Sequence, residues 1–154
     1  VSRARLLLHV AALVAPFAAA TLFAAAIDHD DPALAAKHTA LFGVPGAIAA
    51  QIAVFLRWPA LDRRAHESGG GWQTGIGMAL ITHVLFAVIV DAALLTATGW
   101  REGTDGSISA MFGQTAFFFL ASIGAAGAVT LPFTALLAQW IAARRREEIA
   151  DGAR

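Results

Sequence analysis

Four long apolar runs limit what this chain can fold into more than any other feature. They read LLLHVAALVAPFAAATLFAAAI over 6–27, TALFGVPGAIAAQIAVFLRW over 39–58, GIGMALITHVLFAVIVDAALLTAT over 75–98, and a stretch from about Phe112 to Ala143. About 20 apolar residues in helical form cross roughly 30 Å of hydrocarbon. Each run is therefore expected to be a transmembrane helix. None alternates with period two, which argues against a barrel. Of the 154 residues, 58% are hydrophobic and 14% charged, and the charges fall in blocks between the runs. A soluble domain is about half apolar and roughly a quarter charged. The expected fold is an all-α membrane protein, a four-transmembrane-helix bundle forming one integral membrane domain, with a polar tail at 144–154.

Basic residues set the expected orientation, because they favour the cytoplasmic side. Arg3, Arg5, Arg57, Arg63, Arg64, Arg144, Arg145, Arg146 and Arg154 fall on one side, and only Lys37 and Arg101 on the other. Both termini are thus expected in the cytoplasm. Trp58, Trp72, Trp100 and Trp140 each lie at a span end, where amphipathic rings favour the headgroup level. The opening segment also has the basic start and small residues (Ala24, Ala25, Ala26) of a cleavable signal peptide, although its apolar stretch exceeds the usual ~7–15 residues. Cleavage there leaves three spans in the same orientation. The alanine- and arginine-rich, lysine-poor composition is associated with a bacterium, hence with its inner membrane.

Several function classes drop out. The formal net charge is zero, so no basic surface points to nucleic acid. The chain contains no cysteine, which excludes disulfides and thiolate chemistry. The loops are too short for a soluble catalytic domain. Ser122, the only serine within a span, has no mark of a nucleophile.

Small residues let helices approach where lipid removes most of the hydrophobic drive. Gly43 and Ala47, Gly46 and Ala50, and the set Ala121, Gly124, Ala125 and Ala128 have suitable spacing. Packing within one bundle is the expectation; a homo-oligomer or another membrane subunit is the other use. Pro16, Pro45 and Pro132 lie inside spans, and GVPG at 43–46 is the place where a helix break is easiest. The triple glycine of PALDRRAHESGGG predicts a mobile loop.

The outer segment IDHDDPALAAKH (27–38) carries three aspartates and two histidines. Their spacing fits no metal motif. The simpler expectation is that Asp31 caps the second helix with Pro32 in its first position. His9, about 5 Å inside the first span, can snorkel to the headgroups. His66 lies in a charged loop, where solvation is expected.

His83 and Asp91 are the candidate functional residues. Counted from Gly75, they lie about 12 and 24 Å along the third span. An ionisable group so deep is a functional-site hypothesis by default. Eight positions place them within about 80° of each other on the helix, with Ala87 between. Gln51, Thr130 and Thr134 are at depths that match His83; Thr21 and Thr115 match Asp91. Either each group holds two helices together by a hydrogen bond, or His83, Gln51, Thr130 and Asp91 form a polar track for an ion or proton. The favoured function is a small transporter or a membrane subunit of a larger complex. The alternative is an electron-transfer anchor binding haem b or quinone. For haem, His9 is too shallow by roughly 7 Å to pair with His83, His38 is at the opposite interface, and Met78 is on the same helix.

Overall fold

The computed structural model describes residues 2–98 and 108–152; Trp100, Arg101 and Arg154, used above for orientation, lie outside them. The described residues form helices and short turns. The helices are α1 (Arg3–Ile27), α2 (Pro32–His66), α3 (Trp72–Thr98), α4 (Ile108–Ser122) and α5 (Ala128–Gly152), with α4 and α5 joined by a π-helical turn, Ile123–Gly127. α4, the π-turn and α5 make one long fourth rod. Four helices are thus long and apolar enough to cross a membrane. Large apolar side chains such as Leu22, Phe112, Val129 and Leu136 lie on the outside, more than 70% exposed. That outer surface suits lipid, since a water-facing helix would carry polar residues there.

Local chemistry explains the ends. Ser2 Oγ accepts the Arg5 N–H at 3.2 Å and caps α1. Asp31 Oδ1 accepts the N–H groups of Ala33 and Leu34, both at 3.0 Å, and Pro32 opens α2. Both groups are donors that a helix start otherwise leaves unpaired. Across that turn His38 Nδ1 meets Asp28 Oδ2 at 2.5 Å. α2 closes where Ser68 takes a left-handed φ of 58° and Gly69 N–H returns to the Arg64 carbonyl at 2.7 Å.

The structure corrects several expectations. α2 does not stop near Trp58 but runs two turns further, so the connection to α3 shrinks to 67–71. Trp58 is not at the lipid boundary; it is buried in a cluster with Leu8, Leu61, Met78 and Ile141. Trp72 and Trp140 are exposed. The tail is helical through Gly152. GVPG does not break α2: its glycines receive α1, and a Cβ at Gly43 would sit 2.6 Å from the Phe17 ring. Nor is the glycine loop free. Gly71 N–H donates to Gln139 Oε1 at 2.7 Å, and Arg146 Nη1 donates to the Gly69 carbonyl at 2.9 Å. Ala121, Gly124, Ala125 and Ala128 face outward rather than into the bundle.

The bundle is tight at one end and looser at the other. At the end bearing both termini, α5 packs on α1, α2 and α3. Arg145 joins Asp62 of α2 at 2.7 Å and Glu148 at 3.2 Å, while Glu148 Oε1 accepts the Ala4 N–H at 2.8 Å. Towards the other end, α4 packs chiefly on α3.

Candidate functional site

α3 presents one stripe to its neighbours. Gly75, Ala79, His83, Ala87 and Asp91 recur every fourth position, and all are buried. The small members bring the fourth rod very close. An added Cβ at Gly75 would lie 2.4 Å from the Thr134 carbonyl oxygen, and one at Gly71 would lie 2.3 Å from that of Ala138. His83 stands about two turns further along the same stripe. It is 6% exposed, and Asp91 is 4% exposed.

Both ring nitrogens of His83 are engaged by the fourth rod: Nδ1 with Ser122 Oγ at 2.6 Å and Nε2 with Thr130 Oγ1 at 2.8 Å. A neutral imidazole has one donor and one acceptor, and a hydroxyl can serve as either. The site is therefore satisfied in both tautomers. The partners flank the π-turn, and that turn is the reason they converge. In an unbroken α-helix, eight positions leave Ser122 and Thr130 about 80° apart. A π-bulge absorbs one residue, so they stand as if seven apart, within about 20° of two whole turns. Pro132, just beyond, cannot donate to the Ala128 carbonyl, so the ladder is already interrupted there.

Asp91 lies about 12 Å further along α3. Thr115 Oγ1 of α4 donates to its Oδ2 at 2.6 Å, while Oδ1 is buried without a hydrogen-bond partner among the described residues. A buried carboxylate oxygen without a donor costs about 1–3 kcal/mol or more. Asp91 is thus the least satisfied polar group in this seam.

The other expected neighbours go elsewhere. Gln51 does not reach His83: its Oε1 meets His9 Nδ1 at 2.7 Å and its Nε2 donates to the His9 carbonyl at 2.8 Å. His9 is accordingly tied to α2 rather than snorkelling alone. Thr21 and Thr134 each bond back to the carbonyl four residues earlier, Phe17 and Thr130. The polar groups thus fall into two seams, α1–α2 and α3–fourth rod, not one track. Ser122, which its sequence context marks only as a serine with no sign of a nucleophile, is a His83 partner; ideal helical spacing hides its convergence with Thr130. No group of three or more His, Cys, Asp or Glu among the described residues could hold a metal.

Fold and seam together define a class: an all-α bundle of four helices long and apolar enough to span a membrane, with polar seams inside the apolar runs at α1–α2 and α3–fourth rod. No protein-family model matches the chain, and no curated protein or solved structure is similar to it.

Proposed function

We propose that this is a small multi-pass transport protein of a bacterial inner membrane, both termini cytoplasmic, that passes protons or a small cation along the seam between α3 and the fourth rod. The observation that carries this reading is Asp91 Oδ1, a buried carboxylate oxygen without a partner among the described residues. A group held only for adhesion between helices would gain by pairing both oxygens. His83 supports the same reading. With a hydroxyl on each nitrogen, it can take a proton on one side and release one from the other, ending in the opposite tautomer. The basic-residue bias supports the orientation.

A second reading, in which the seam only holds helices together, is favoured by the saturation of both His83 nitrogens. The electron-transfer reading fits less well, since a haem ligand needs a free ring nitrogen. The exposed stripe of Ala121, Gly124, Ala125 and Ala128 is where a second copy, or another subunit, would lay a helix.

Proteoliposomes containing a pH-sensitive dye, given a potassium diffusion potential, test the proposal. Wild-type protein should carry a proton current, Asp91→Asn should fold and abolish it, and His83→Gln should reduce it. Absence of flux in the wild type, across protons, sodium and potassium, overturns the transport reading. Full flux in Asp91→Asn removes Asp91 from it.

A further inference from the structure

We propose that the groove between α2 and α3, at the end bearing the termini, binds the phosphate of an anionic phospholipid, with Arg57 as its deep ligand and Arg64 as its outer one. This rests on the membrane fold alone and not on the transport reading. Most of the arginines in this part of the bundle have a partner. Arg145 joins Asp62 and Glu148, Arg144 joins Glu147 at 3.0 Å, and Arg5 lies 5.8 Å over the Trp58 ring. Arg57 differs. It is partly buried, its Nε is enclosed without an acceptor, and no carboxylate among the described residues forms an ion pair with it.

Its guanidinium lies against Gly77 of α3, where an added Cβ would sit 3.1 Å from Nη2 and 3.3 Å from Nε. Two turns on, Arg64 Nη2 donates to Gln73 Oε1 at 3.2 Å. Gln73 and Gly77 are one turn apart on α3, about 6 Å by helical rise, so one groove has two guanidinium groups meeting the same stretch of α3, although their Cα atoms are about 10 Å apart on α2. Beside the groove, Ala60 opens a hollow on α2 itself, lined also by Arg63, Arg64 and Glu67. Glu67 opposes an anion there, but it is ten positions from Arg57, about 15 Å further out.

A guanidinium is a fork of donors that suits the oxygens of a phosphate; with its Nε enclosed, Arg57 offers the two Nη groups. Basic pockets between membrane helices are suited to anionic headgroups. The walls say why the phosphate carries a tail. Leu80 and Val84 continue the Gln73–Gly77 face of α3 deeper into the membrane, and Ile52 and Leu56 flank it on α2; all four are exposed. Free phosphate has no use for them.

Delipidated protein in neutral detergent should keep phosphatidylglycerol or cardiolipin in native mass spectrometry and melt at higher temperature with it. Phosphatidylcholine and inorganic phosphate should do neither. Arg57→Gln should weaken retention about five- to tenfold, as expected for one charged contact near the membrane surface. Gly77→Val, which fills the groove without changing charge, should weaken it too, while Arg144→Gln should not. Equal retention of anionic and zwitterionic lipid by the wild type overturns the site, whatever the variants do. So does equal retention in Arg57→Gln and wild type. Equal stabilisation by inorganic phosphate overturns the lipid assignment.

Discussion

Gly75→Ala is the sharpest test of how the seam is built. The new Cβ would lie 2.4 Å from the Thr134 carbonyl oxygen, 2.7 Å from the Ala135 Cα and 2.8 Å from the Ala138 Cβ. Two of these are backbone atoms, and the third is fixed to backbone, so no side chain can swing away. Ordinary contact begins near 3.4 Å, so α5 must retreat by about 1 Å. Overpacking of this kind costs about 1–3 kcal/mol, and the rigid neighbours argue for the upper half. The retreat also bears on His83, two turns along the same stripe. Its contacts of 2.6 and 2.8 Å would stretch to about 3.6 Å or more, outside hydrogen-bond geometry. Helix propensity returns up to about 1 kcal/mol, so we expect a net loss of about 1–2 kcal/mol, which lowers the folding equilibrium constant by about five- to thirtyfold. Unfolding in mixed micelles of increasing dodecyl sulfate, followed by tryptophan fluorescence, measures it. Gly113→Ala is the control: no atom of the described residues lies within 4 Å of its added Cβ, and helix propensity predicts a gain of up to about 1 kcal/mol. An unchanged midpoint in Gly75→Ala would refute the close approach and the account of how His83 is positioned.

Three further outcomes follow from the same geometry. Ser122→Ala leaves one His83 nitrogen without its partner and should cost about 0.6–1.7 kcal/mol, from the average to the largest value for hydrogen bonds between membrane helices; the same unfolding titration reads it. Gln51→Leu breaks both contacts with His9 and should cost about 1 kcal/mol, yet leave proteoliposome flux unchanged, since it belongs to the other seam; lost flux would rejoin the two seams. Asp31→Ala removes the acceptor for two N–H groups of α2 and should cost about 0.5–2 kcal/mol, whereas Asp31→Asn should cost far less, as thermal melts of the two variants will show.

The sequence by itself determined the number of helices and most of their bounds, because crossing hydrocarbon demands long apolar runs and those runs are local. It also determined the cap at Asp31 and Pro32, since a cap depends on adjacent residues. It singled out His83 and Asp91, because an ionisable group in an apolar run is anomalous in any fold. Thr115 was legible as an Asp91 partner from depth alone. Depth also marked Thr130 for His83, which holds, but equally Gln51 and Thr134, which bond elsewhere: several helices pass each depth, and only packing says which face which. The small residues showed the same limit. Spacing marked Gly43 and Gly46, which do receive α1, and equally Gly124 and its neighbours, which face outward. That Ser122 joins Thr130 on the two nitrogens of His83 was decided by tertiary structure. It needs one residue of extra winding in the fourth rod and the close approach permitted by Gly71 and Gly75, and neither is written in the period of a single helix.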